Sequence, residues 1–255
     1  MHIEKCQRPG VVLNLLEVSG VSFFLTFVFA LGGLGSAAAL IPTLVFLGVP
    51  FPVARPAGLF ANFISTFSAT VHNLRAGLVD FSLAIPILLP AVLLSPVGAY
   101  ASTVLPERVV GAVFTLFLFF AGLMVYVPKR ELFDATGYRW YPPLVGALAG
   151  FISGLLGIGG GALISPMLVI AGYSPKKVAP VTAFAVVFSS VSAFLAYLKL
   201  GSVDWKVTLA VALPALFAGY LGAFVTHRFL TAAQVKRILG IIFFILGIKF
   251  ATKFL

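Results

Sequence analysis

Charge is what this sequence has least of. Only 9% of its 255 residues are Asp, Glu, Lys or Arg, against about 25% in an ordinary soluble domain, while 61% are hydrophobic. A water-soluble core of this size cannot hide so much apolar surface, and a mean hydropathy of +1.13 makes lipid the solvent. Acidic residues are scarcest: seven against seventeen Lys and Arg, for a net charge of +10. In a soluble protein that excess would raise the question of nucleic acid. Here the basic residues stand singly or in pairs between apolar runs, the pattern of headgroup anchors and the positive-inside bias. Attraction of anions is a secondary effect, and no nucleic-acid partner is expected. The single cysteine, Cys6, excludes an internal disulfide and a multi-cysteine metal site. Neither a metal nor another cofactor is expected. The nucleophile and zinc motifs GxSxG and HExxH do not occur, so the chain is not expected to be an enzyme.

The alternation of apolar and polar positions that a membrane β-barrel needs is also missing from runs such as GAVFTLFLFFAGLMVYV. Helices are the remaining way to satisfy a backbone in lipid. The apolar runs cover approximately 13–31, 36–48, 57–74, 83–105 and 109–128, then 141–157, 160–172, 178–198, 206–227 and 234–254. Several approach the roughly 20 residues that a crossing requires, whereas 36–48 and 160–172 are too short to cross alone. The longest polar connection, PKRELFDATGYRWYPP from Pro128 to Pro143, separates two halves. We read 1–128 as a first transmembrane repeat, 129–142 as a connecting loop and 143–255 as a second repeat.

The halves match one another. Laying Pro42 on Pro166, an offset of 124 residues, pairs Gly33 with Gly157, Gly35 with Gly159, Gly48 with Gly172 and Pro56 with Pro180. The same offset pairs Ser65 with Ser189, Gly77 with Gly201, Asp80 with Asp204 and Pro90 with Pro214. Chance could align alanines and leucines, but not this many glycines and prolines, so the sequence carries an internal duplication. Residues just after the first apolar run recur in mid-chain, so that run is expected to belong to the mature fold rather than to a signal peptide.

Each half opens with an apolar run broken by glycine: LGGLGSAAALIP at 31–42 and LGIGGGALISP at 156–166. Glycine weakens a helix by about 1 kcal/mol relative to alanine, and a break at membrane depth survives only against protein or a water-filled cavity. Gly33, Gly35, Ser36 and Ala37, with Gly157, Gly159, Gly160 and Gly161, are therefore candidate binding residues, their amides and positive helix ends aimed at an anion. Close helix packing is the plainer reading of the same glycines.

The next helix of each half carries small polar residues on one face: Asn62, Ser65, Thr66, Ala69, His72 and Asn73 in the first, Thr182, Ser189, Ser190 and Ala193 in the second. We take Asn62, Ser65, Thr66, Thr182, Ser189 and Ser190 as a substrate-lining stripe, set against hydroxyls that merely bond back to their own helix. His72 suits a hydrogen bond at a helix end better than a metal site, having no second ligand at the right spacing. The turns RAGLVD (75–80) and KLGSVD (199–204) read as structural: glycine ends one helix and aspartate caps the next.

With the glycine break, the proline after it and the [RK]xGxVD turn, the chain resembles the sulfite exporter TauE/SafE family, also called the toluene-sulfonate uptake permease family. GIGGGALISP carries the closest match, and the resemblance covers both halves. It implies a multi-pass, prokaryotic-type inner-membrane carrier for sulfite, sulfonates or other small organic anions. The expected architecture is all-α, with two repeats of about 120 residues. Each has a glycine-broken first helix, re-entrant or discontinuous, and three transmembrane helices.

If each broken run crosses once the repeats are parallel; if it is a re-entrant hairpin they are inverted. A straight helix of about 30 residues would measure about 45 Å, more than a core of about 30 Å, which favours inversion. The expected activity is alternating access around one anion site at the repeat interface. An anion-selective channel and a non-transporting assembly factor stand as alternatives. The partners are a small anion and the bilayer, with self-association open.

Overall fold

The computed structural model describes residues 15–32, 36–126, 134–229 and 232–254. Among them the chain is all helix and turn, without a strand: α1 (Leu15–Gly32), α2 (Ala37–Phe46), α3 (Phe51–Arg75), α4 (Phe81–Val104) and α5 (Glu107–Tyr126), followed by α6 (Tyr141–Leu156), α7 (Gly161–Ile170), α8 (Pro175–Lys199), α9 (Trp205–Phe229) and α10 (Ala232–Phe254). The two short apolar runs form α2 and α7, ten residues each and so about 15 Å long, half of a hydrocarbon core. Among the described residues α4, α5 and α8 are long and apolar enough to cross a membrane.

The side chains of α4 explain how such a helix is held in lipid. Phe81, Ile85, Leu89, Leu93, Val97, Tyr100 and Val104 recur every three or four residues on one exposed face, while Ala84, Ile87, Ala91, Ser95 and Ala99 are buried on the other. A helix apolar on both faces needs protein on one side and hydrocarbon on the other. The exposed tryptophans Trp140 and Trp205 stand just before α6 and at the start of α9, where an aromatic belt is expected.

The turns act through the backbone. After α3 the chain enters the left-handed region at Gly77 (φ 65°), and after α8 at Gly201 (φ 68°), as the sequence pattern anticipates. Asp80 then caps α4: its carboxylate accepts from the Ser82 amide (3.1 Å) and hydroxyl (2.6 Å). Asp204 accepts from the amides of Lys206 and Val207 at the start of α9.

The second glycine-broken run is a hairpin rather than one interrupted crossing. The Tyr141 hydroxyl, at the start of α6, donates to the Met167 carbonyl near the end of α7 (2.8 Å), and the Ala135 amide donates to the Ala171 carbonyl (3.0 Å). The outer ends of α6 and α7 therefore lie together, and Gly157–Gly160 is the tip. α4 runs alongside α6 in near backbone contact. A Cβ at Gly146 would collide with the Ile87 carbonyl, one at Gly150 with that of Ala91 and one at Gly154 with that of Ser95. α1 meets α9 at the corresponding height, where Ser22 donates to the Val211 carbonyl (2.7 Å) and Ser19 to that of Ala210 (2.9 Å).

Two expectations follow. Gly154→Leu forces α6 off α4 and lowers stability by about 1–3 kcal/mol, whereas Gly20→Ala on α1, where nothing lies within 4 Å of the added methyl, adds about 0.5–1 kcal/mol of helix propensity; thermal unfolding in detergent measures both. The hydrogen bonds from Ser82 hold the Asp80 carboxyl below its ordinary value. The stability they add is complete above the unfolded value of about 3.9 and is lost as pH falls through the lower folded value. Asp80→Asn keeps a cap and flattens this acid limb, and Asp80→Ala costs about 1 kcal/mol at neutral pH, both read from unfolding midpoints against pH.

Candidate functional site

The hairpin tip exists because of glycine. Gly157 (φ 82°), Gly159 (φ 79°) and Gly160 (φ 74°) all take left-handed backbone, which a side chain would strain. Gly157 ends α6 with its amide on the Ser153 carbonyl (2.8 Å). Gly160 caps α7, and its carbonyl accepts from the amides of Leu163 and Ile164. The amides ahead of these have no acceptor within the helix. They give α7 a positive end. The flanking Leu155, Leu156 and Ile158 are at most 4% exposed, so the tip is buried within the protein.

Two long helices cross at this tip. Asn62, midway along α3, lies directly over Gly159, and its amide nitrogen donates to the Ser190 hydroxyl of α8 (3.4 Å). Three polar atoms here are left with unused capacity. The Asn62 carbonyl oxygen and the Ser153 hydroxyl are buried without a partner, and Ser190 accepts without donating. Ser153 lies under Gly160. Buried polar atoms are ordinarily paired, so this concentration of unpaired ones makes the start of α7 the candidate site.

The remaining sequence candidates divide. Ser65 and Thr66, one turn along α3, both donate to the Asn62 backbone carbonyl (3.1 and 2.6 Å), the back-bonded alternative. Ser189 donates to the Val186 carbonyl (3.2 Å), and its own carbonyl accepts from Ser95 of α4. Thr182 accepts from Ser165 of α7 (3.2 Å), two turns below Ser190. Ser36 and Ala37 are buried at the start of α2, the Ser36 hydroxyl without a partner. Gly161 is the first residue of α7; Gly33 and Gly35 lie outside the described residues. His72 stands exposed in the last turn of α3, away from the tip. Among the described residues no group of three or more His, Cys, Asp or Glu could hold a metal.

One basic residue departs from the headgroup-anchor reading. Arg55 is only 3% exposed and packs its backbone against Gly157. It falls at the edge of an apolar run, where sequence does not separate an anchor from an inward-facing charge. Ser153 was equally hidden, a lone serine in an apolar helix.

Long apolar helices, an exposed apolar stripe and a broken helical hairpin with polar atoms gathered at its tip are the features of a helical membrane protein. The family model for "Sulfite exporter TauE/SafE" matches residues 18–250, and the chain belongs to this family. Among its relatives, the "Probable membrane transporter protein YunE" of Bacillus subtilis (strain 168) is 26% identical over 244 residues, 84% of this chain and 89% of that protein. A probable membrane transporter protein of Methanocaldococcus jannaschii is 24% identical over 238 residues, 86% of this chain and 88% of the other. "Sulfite exporter TauE/SafE family protein 1" of Arabidopsis thaliana is 38% identical over 111 residues, covering 44% of this chain and 24% of that one. No solved structure matches.

Gly159→Ala adds both left-handed strain and a collision with the Asn62 amide, and is expected to cost about 1–3 kcal/mol. Asn62→Ala in the same chain removes the collision and restores part of that loss. A double-mutant cycle of thermal midpoints separates the two contributions.

Proposed function

We propose that the protein is a secondary transporter that carries a small anion, a sulfite, sulfonate or related organic anion, across the membrane by alternating access around the tip of the α6–α7 hairpin. The observation that carries this reading is the meeting of three groups at Gly159: the amide end of α7, Asn62 from the first half and Ser190 from the second. Oxyanion oxygens would take the α7 amides and the Ser190 proton. The Asn62 amide nitrogen donates to the Ser190 oxygen (3.4 Å), which leaves the Ser190 proton for the ligand.

We further read the chain as two inverted repeats, and read α1–α2 as a hairpin like α6–α7. This is supported by α2 and α7, and α3 and α8, beginning 124 residues apart. It is also supported by Ser22 meeting Val211 where Gly146 meets Ile87, at that same offset. A hairpin that enters and leaves on one side, followed by three crossings, reverses the orientation of the second half. Carriage by rocking of two such units around a central site, in a cell inner membrane with several crossings, follows the general design of repeat transporters. The sulfur-containing anion rests on the family and on the printed names of the plant relatives.

Purified protein in liposomes is expected to give saturable uptake or exchange of sulfite or sulfonates, and thermal stabilisation by the same anions. Asn62→Ala and Ser190→Ala weaken binding on the order of 10–100-fold, the scale of a hydrogen bond to a charged group. Ser65→Ala, whose hydroxyl is occupied by its own helix, changes it less than threefold. Single-channel conductance would make the protein a channel instead. Flux absent for every anion, with function intact in Gly159 variants, would make it an assembly factor.

A further inference from the structure

A hairpin tip poses an electrostatic problem. The positive start of α7 lies beside the negative end of α6, and an anion bound at the one is repelled by the other. Three of the last four carbonyls of α6 are nevertheless engaged. That of Ser153 accepts from the Gly157 amide (2.8 Å), that of Gly154 from the Tyr197 hydroxyl (2.7 Å) and that of Leu155 from Arg55 Nη1 (3.5 Å). The same Nη1 lies 3.3 Å from the Ser102 carbonyl in the last turn of α4, so one guanidinium faces the negative ends of two helices. It is stacked over the rings of Phe51 (4.8 Å) and Tyr197 (5.8 Å), and its Nε has no partner. Among the described residues no carboxylate is buried with it: Glu17, Asp80, Glu107, Asp134 and Asp204 are all exposed or half-buried. A buried charge ordinarily has an ionic partner. Here its counterparts are helix ends.

Resting on the anion-carrier reading above, we propose that Arg55 is the residue that makes the α6–α7 tip anion-selective, by cancelling the negative ends of α6 and α4. It acts through the field rather than by touching the anion. Side chains on a helix lean toward its N-terminus, and Arg55 leans toward Phe51, away from Asn62, which is seven residues and about 10 Å along α3. A unit charge roughly 10–15 Å away, at an effective dielectric of about 20, changes anion affinity by roughly 6- to 16-fold per unit of anion charge. The residue at the same register in the second half is Ala179, which offers no charge. The field therefore favours one hairpin over the other, and a single anion site in a chain with two glycine breaks.

The test reads the field directly. With Cys6→Ser and Ser190→Cys the protein keeps one thiol at the tip, whose pKa follows from the pH dependence of its alkylation. Adding Arg55→Gln should raise that pKa by about one unit, whereas Arg55→Lys, which keeps the charge, should move it by less than half as much. In chains with Ser190 intact, Arg55→Gln should weaken methanesulfonate binding about tenfold and sulfate about a hundredfold, leaving dimethyl sulfone unchanged. If Arg55→Gln does not fold, Tyr197→Phe frees one α6 carbonyl while keeping the charge, and should raise the thiol pKa by a smaller step. A thiol pKa indifferent to both substitutions, or equal losses for charged and neutral probes, overturns the proposal. A pKa that shifts in a protein binding no anion would instead overturn the carrier reading and leave the field of Arg55 standing.

Discussion

Where water is excluded a backbone amide or carbonyl without a partner costs several kcal/mol, and this chain breaks a helix at a buried position. Much of what surrounds the break follows from that one cost. Three glycines in left-handed backbone reverse the chain within four residues, which keeps the exposed stretch short. Gly157, Tyr197 and Arg55 engage three of the last four carbonyls of α6. Gly146, Gly150 and Gly154 bring α4 against α6 with no side chain between them, which walls the tip from lipid on that side. The amides at the start of α7 have no helical partner, and next to them Asn62 and Ser190 meet over Gly159.

The break and the helix ends were legible in the sequence because glycine and proline act on the backbone wherever they stand. The expected run 178–198 lies within α8, and 36–48 brackets α2. A short apolar run flanked by glycine likewise marked the α6–α7 break, because a run of 13 residues cannot cross a bilayer alone, while hairpin and interrupted crossing both stayed open. The hydroxyl stripe was legible only as spacing. Periodicity places Ser65, Thr66, Ser189 and Ser190 on inward faces, yet whether a hydroxyl offers its proton inward or to its own helix depends on χ1 and on which carbonyl is free. Three of those four donate to their own helix, and Ser190 does not.

Arg55 was illegible for a different reason. A basic residue four positions into a helix, beside an apolar run, has the same sequence signature whether it snorkels to headgroups or turns inward. The outcome depends on acceptors more than 40 residues away in α4 and 100 away in α6. Ser153 shares the difficulty in milder form, since a serine costs little in an apolar helix and its sequence neighbours do not reveal that Gly160 lies above it.

Positions 124 apart share their glycines and prolines far more than their polar side chains. Asn62 is matched by Val186, Arg55 by Ala179 and Ser153 by Phe29. Glycine and proline set where the chain bends, so keeping them keeps two comparable helix breaks. The chemistry that would hold a ligand is then free to gather at one. A charged ligand favours that division: a second site of equal affinity close by would place two like charges at short range in a low dielectric, where each disfavours the other. The candidate site lies at the crossing of α3 and α8, where both halves contribute a side chain.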